Sequence, residues 1–531
     1  MAFHRGIVTF IFGIIFLTQL FAQYPNIRVS QPGSNDPEEV VIAINPLNPL
    51  NLAAGANINY YYYSNDGGLS WTEGELTSSL GVWGDPCVIF DVDGNLYFSH
   101  LSNPQSGNWL DRIVVQKSTT GGVTWNNGVG VGLNPPKDQD KEWLAVDETF
   151  SPYRNNLYMS WTEFDAYGSA NPNDSTRILF SRSTDGGLSW STPLKVSDVG
   201  GDCIDSDNTV EGAVPAVGPN GEIYLSWSGP LGIMFDKSGD GGATFGTDIY
   251  VTEQPGGWDF EVPGIYRCNG LPITACDISD SPYQGNVYIA WSDQRNGTNN
   301  TDVFFIKSTD GGETWGEVKQ VNDDATATHQ FFTWMTVDQI TGSIYYVFYD
   351  RRNSTGLATD VYVAKSDDGG ETFSNFRVNQ SSFTPSAFIF FGDYTNIAAR
   401  NGKVYPIWMR MDGFDLSVWA ALLEFPPVGI ALAQQSDGIE EFELYQNYPN
   451  PFNPETAISY RLATVSDVEV QVYNLLGQRV KTLIRETQAA GIHTLRWDGQ
   501  DEAGQPVAGG MYLYRLIAGD KVQMKKMLLI R

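Results

Sequence analysis

The chain is poor in the residues that hold metals and redox centres. Its 531 residues include only four cysteines and four histidines. Cys87, Cys203, Cys268 and Cys276 form no Cys-x-x-Cys pair, which argues against a zinc ribbon or a thioredoxin-like centre. His100 and His329 are too isolated to suggest a metal site, so no metal ligand is assigned. Positive charge is scarce as well: 32 Lys and Arg face 62 Asp and Glu, a formal charge of -30. Such a surface repels nucleic acid and anionic membranes, and neither is expected as a partner. Beyond the N-terminus no apolar run approaches the length of a membrane-spanning helix.

Residues 1–22 read as an export signal: His4 and Arg5, an apolar run from Ile7 to Leu20, and a small-residue cleavage site at Leu20-Phe21-Ala22. Export permits disulfides, and Cys203 and Cys268, both in loops feeding consecutive repeats, are expected to pair. Cys87 and Cys276 sit in apolar strand patterns and are expected to be buried thiols. The acidity is uneven. From Glu440 onward 10 Lys and Arg meet 11 Asp and Glu, so that region carries -1 and the remainder -29.

With aromatics at 13%, 55 glycines and few amphipathic helical stretches, the chain reads as all-β with many tight turns. One turn recurs six times as Ser-x-Asp-Gly-Gly-x-Ser/Thr-Trp/Phe, beginning at Ser64, Ser118, Ser183, Ser238, Ser308 and Ser366. Asp66, Asp185, Asp240, Asp310 and Asp368 can cap their own turn backbone, and Thr120 replaces the Asp in the second copy. The motif resembles the Asp-box, or BNR repeat, of the sialidase superfamily, where it is structural. Successive copies lie 54, 65, 55, 70 and 58 residues apart, enough for one four-stranded propeller blade each.

A seventh copy without the box runs from Thr395 through Val404–Met409 to Leu416–Leu423, and it lacks a fourth strand. The segment Asn26-Ile27-Arg28-Val29-Ser30 resembles the fourth strands elsewhere and is expected to close the ring. The expected fold is a seven-bladed β-propeller over 23–430, with a six-bladed ring and an appended 391–423 as the alternative. A linker over 431–446 then leads to a small immunoglobulin-like sandwich over 447–531. The tract Tyr448-Pro449-Asn450-Pro451-Phe452-Asn453-Pro454, with Leu475-Leu476-Gly477-Gln478, Gly510-Met511-Tyr512 and Lys525-Lys526, resembles the C-terminal sorting domain of type IX secretion substrates. That resemblance implies engagement of outer-membrane secretion machinery, then release or attachment at the cell surface.

Loops entering strand one and leaving strand two of each blade open on the side opposite the boxes, and they carry most of the candidate chemistry. The sialidase resemblance implies a nucleophilic Tyr, an activating Glu, an acid/base Asp and a clamp of three Arg. Tyr394 and Glu211 stand where the first two would be. With Asp393, Asp85 and Glu142 they form the candidate catalytic set, while Glu39, His100, Glu163, Arg295, Arg351, Arg352 and Arg410 are the candidate substrate-binding residues. The arginine clamp is incomplete. Glu38 and Glu39 stand where the family's first-strand Arg would be, and carboxylates there repel an anionic sugar.

The paired segments Asp293-Gln294-Arg295 and Asp350-Arg351-Arg352 could instead bridge neighbouring blades. Asp91-Val92-Asp93-Gly94-Asn95 is a fragment of a calcium loop without its closing Glu, and reads as a turn. The expectation is a monomer working on extracellular glycan or glycoprotein, as a glycoside hydrolase or lyase of a neutral or cationic sugar. The alternative is a non-catalytic binding or adhesion module using the same mouth, with Ca²⁺ the one cofactor its acidic loops would admit.

Overall fold

The computed structural model describes residues 24–425, 442–445, 447, 450, 452–462, 465–474, 477–489, 491–519 and 521–530. The expected export signal and most of the expected linker lie outside these residues. The chain divides into two compact units, Met1–Gly429 and Ile430–Arg531. Every regular element among the described residues is a strand, and no helix long and apolar enough to cross a membrane occurs among them.

The first unit contains seven antiparallel sheets of the blade type. Their first strands are Val41–Ile44, Cys87–Phe90, Asp138–Val146, Glu211–Val217, Ile273–Cys276, Gln330–Val337 and Asn396–Arg400. Each touches the next, and the last touches the first, so the sheets form a closed ring. Asn26–Arg28 supplies the outer strand of the seventh sheet, pairing Asn26 with Ala421, Ile27 with Ala420 and Arg28 with Trp419. Ring closure thereby ties the first residues to the last blade and leaves that edge paired.

The five turns that carry an Asp fold alike because equivalent donors surround it. In the first, the Ser70 amide donates to Asp66 at 2.9 Å, its hydroxyl donates at 2.5 Å, and the Ser64 hydroxyl donates at 2.8 Å. Both motif glycines adopt positive φ, 74° and 86°, angles that other residues avoid. In the second copy Thr120 Oγ1 takes the role of the carboxylate, accepting from the Thr124 amide at 2.9 Å.

The turns also lock neighbouring blades. Lys117, Arg182, Lys237 and Lys307, each preceding a motif Ser, donate to the glycine carbonyls of the next turn at 2.7–3.1 Å. The motif aromatics pack on the third strand of the preceding blade, as Trp315 does on Phe235 at 5.0 Å and Phe373 on Phe305 at 5.4 Å.

All four cysteines are free and buried, which corrects the expected Cys203–Cys268 disulfide. Their backbones are committed to different neighbours. Cys203 bridges to Ser169, whereas Cys268 pairs with Phe260 in a two-stranded ribbon, Asp259–Phe260 with Cys268–Asn269, inserted between the fourth and fifth blades.

The second unit is a sandwich. One sheet orders Phe442–Leu444, Thr456–Leu462 and Gly491–Trp497; the other orders Arg479–Gln488, Ser466–Asn474, Gly510–Ala518 and Lys521–Leu529. Its core centres on Trp497, Tyr460, Tyr514 and Val470, all fully buried.

Candidate functional site

Antiparallel alternation sends the entrances of the first strands to the face opposite the repeated turns. At these entrances the backbone turns left-handed: Glu39, Asp85, Lys141 and Phe332 have φ of 55°, 50°, 54° and 50°. Register breaks follow at Asp140/Trp143, Glu211/Val214 and Phe331/Trp334. Bulges of this kind re-aim side chains, and left-handed non-glycine residues are costly conformations concentrated at functional sites. Gly392 at φ 81° completes the series, since a Cβ there would stand 2.7 Å from the Glu39 amide. The result is a cleft of about 300 Å³ at the channel mouth.

The cleft gathers carboxyls from five blades and two insertions. Asp393 comes from the seventh blade, Glu39 from the first, Asp85 from the second, Asp140 from the third and Glu211 from the fourth, joined by Asp205 and by Asp259 of the ribbon. Two cations stand among them. Lys141 Nζ lies 2.9 Å from Asp393, 3.7 Å from Asp85 and 4.0 Å from Glu39. Arg267, carried by the inserted ribbon, grips Asp393 with Nε at 2.9 Å and a second, shorter bond. Trp83, Trp109, Tyr167, Trp258 and Phe390 contribute aromatic surface to the walls.

These neighbours push the acids in opposite directions. Burial opposes charge on Asp393, yet Lys141 and Arg267 hold its carboxyl well below the usual range. Burial, then Asp205 and Asp140, drive the Glu211 carboxyl far upward, and Glu211 shares a hydrogen bond with Asp205. Among the described residues Glu211 Oε2 has no hydrogen-bond partner. Glu39 behaves likewise, raised by burial and by Asp85, with which it shares a hydrogen bond. Asp140 is raised by burial and Asp85. Like charges this close cannot all ionise, so protons are shared. Tyr167 fixes the rim by donating to Asp205 at 2.5 Å.

The structure distributes the expected site residues unevenly. Glu211, Asp393, Asp85 and Glu39 line the cleft. Tyr394 lies behind it, its ring against Trp143 and Trp334 and its hydroxyl donating to the Pro86 carbonyl at 3.3 Å. Burial, then Glu39, Asp85 and Glu142, push its phenol well up, opposite to what a nucleophilic phenolate requires. Among the described residues no hydrogen bond joins it to Glu211. Glu142 is buried nearby, raised by burial and Asp85.

The remaining candidates have local duties. His100 is fully buried between the Leu101 carbonyl and Gln116, its ring brought down to about 4 by burial. Glu163 binds Arg177 at 2.6 Å and Lys137 at 3.0 Å. Arg295 pairs with Asp293 at 2.6 Å and Arg352 with Asp350 at 2.7 Å. Arg410 pairs with Asp412 at 2.7 Å, and buried Arg351 donates to the Pro263 carbonyl at 2.6 Å. Apart from Arg351, which reaches the inserted ribbon, each is engaged within its own blade, and the cleft's guanidinium is Arg267 instead. Among the described residues no group of three His, Cys, Asp or Glu side chains could hold a metal ion. Lys141 occupies the position among carboxylates where a cation would sit.

Comparison with known proteins adds the following. The model of the FlgD Ig-like domain matches residues 451–521. No curated protein matches the chain. Solved structures similar to it include a protein of unknown function from Dyadobacter fermentans, 10% identical over 76% of this chain and 98% of that one, TM-score 0.43. An α-L-arabinofuranosidase of Fusarium graminearum is 13% identical over 64% and 92%, TM-score 0.44. The NanB sialidase of Streptococcus pneumoniae is 9% identical over 70% and 83%, TM-score 0.43.

Proposed function

We propose that this protein is a secreted or cell-surface propeller that acts on extracellular glycan, hydrolysing the bonds of a neutral or cationic sugar. One arrangement carries the reading: within one aromatic-walled cleft, burial and Asp205 raise the Glu211 carboxyl, while Lys141 and Arg267 lower that of Asp393. A carboxyl whose surroundings favour its neutral form is the candidate acid of such a cleft. Glu211 then gives its proton to the departing glycosidic oxygen. Asp85, beside Lys141 across the cleft, takes a proton from the water that attacks the anomeric carbon. Asp393 anchors the two cations and does not react.

Sialic acid is disfavoured as substrate, because the carboxylates lining the cleft outnumber its two cations, and Asp393 already engages both. Delivery rests on the N-terminal signal and the sorting-domain resemblance, with the type IX machinery as the transient partner of the C-terminal unit.

Incubating the mature protein with neutral, amino and sialyl glycosides tests this. Release of reducing ends that falls roughly a hundredfold or more in Glu211→Gln is the expected result. Retention of glycan without turnover would favour the binding-module alternative. Neither turnover nor retention would remove the glycan reading.

A further inference from the structure

We propose that the cleft is one end of a longer trough that takes the interior of a polysaccharide chain, an inference that rests on the glycan reading above. Two further concavities adjoin the cleft. One, of about 910 Å³, is lined by residues 259–267 and shares Asp259 and Arg267 with it. The other, of about 560 Å³, shares Gly264 with that concavity and is lined by Leu357 and Phe388. Together these spaces are far larger than one sugar ring needs.

Partly or largely exposed aromatic side chains line all three spaces. On the second blade Trp83 and Trp109 are 40% and 44% exposed, while at the ribbon and the loop before the seventh blade Tyr266 and Phe388 are 60% and 92% exposed. Tyr266 meets Phe390 edge-on at 6.1 Å, and the Arg267 guanidinium covers the Phe390 ring at 4.8 Å, fixing the platform between the two ends. Single exposed aromatics are ordinary, whereas a line of them beside a charged floor marks a binding surface.

The floor chooses the occupant. A sugar ring offers an apolar C–H face to the aromatics and hydroxyls to the carboxylates and Arg267. A lipid would bury those charges without partners. Aromatics in the cleft and in both concavities beyond it call for a substrate long enough to reach all three, so cleavage is internal to the chain.

The test uses the mature full-length protein and size-graded oligosaccharides, from monosaccharides to octasaccharides, of gluco-, xylo-, arabino- and chito-series. Affinity should rise with chain length in the series bound. Phe388→Ala and Tyr266→Ala should each flatten that rise, lowering octasaccharide affinity about fivefold and monosaccharide affinity far less. Both side chains are exposed, so the substitutions spare the core. Early products should be mixed oligomers. An octasaccharide bound no more tightly than its monosaccharide, or a rise unchanged in both variants, overturns the trough. If Glu211-dependent release from simple glycosides persists beside such a result, the cleft assignment stands alone. Absence of binding in every series overturns both.

Discussion

The two ends of the propeller use the same residue type for opposite purposes. At the turn face, Asp185 and Asp310 are brought down to about 2, first by side-chain hydrogen bonds from Ser189 and Ser308 and then by further donors of their own turns. At the channel mouth, Glu211, Glu39 and Asp140 are driven up by burial and by neighbouring carboxyls, chiefly Asp205 and Asp85. The difference lies in the supply of donors. Where the chain wraps amides and hydroxyls round a carboxylate, charge is stabilised and the group is structural. Where carboxyls crowd into a partly dry cleft with two cations among them, a proton is retained and can be transferred.

The largest break in this contrast should come from Lys141. Lys141→Met leaves Asp393, Asp85 and Glu39 without their shared cation, and should cost about 3–5 kcal/mol, read as a lower denaturation midpoint. An unchanged midpoint would mean that the carboxyls redistribute protons at no cost.

Next is Glu38 at the cleft's edge, raised to about 8 by burial, Asp36 and Asp393. A carboxyl raised from 4.5 in the unfolded chain binds more protons when folded, so its contribution is greatest below pH 4.5 and is lost as pH rises towards 8. Glu38→Gln should flatten that decline in a stability profile against pH. The turn aspartates have the reverse sign: their contribution is present above 3.8 and disappears as pH falls towards about 2.

The smallest effect sharpens the structural side. Asp310→Ala should cost about 1 kcal/mol, the usual worth of a capping side chain. Asp310→Thr should cost less, because Thr120 already serves in the second turn. Equal losses in the two variants would show that the carboxylate charge, rather than an accepting oxygen, is required.

The ring was legible in the chain because it repeats. Equivalent turns, evenly spaced strand pairs and the spare strand at Asn26–Arg28 are local patterns, and pairing across the ring follows from them. The site was legible only in part. Glu211, Asp85, Asp393 and Glu39 could be placed because they open blades, at positions the repeat itself aligns. Asp205 and Arg267 sit in irregular insertions with no register to count from, and Asp140 is turned inward by a bulge. A signal for Arg267 existed in the unusual 70-residue interval, which leaves room for a ribbon beyond the blade. Arg295, Arg352 and Arg410 misled because an Asp two residues away in sequence captures each side chain locally, whereas Arg351 is drawn to Thr359 and the Pro263 carbonyl. Tyr394 had the right position, but its hydroxyl is already spent on Pro86.

The central claim is that Glu211 keeps its proton where an ordinary glutamate would have lost it. Titrating the side-chain carboxyl carbons of ¹³C-glutamate-labelled protein, with Glu211→Gln to assign the resonance, measures this directly. The account predicts a Glu211 midpoint well above 4.5. A midpoint at or below that value would contradict it, and would return the cleft to an ordinary acidic surface.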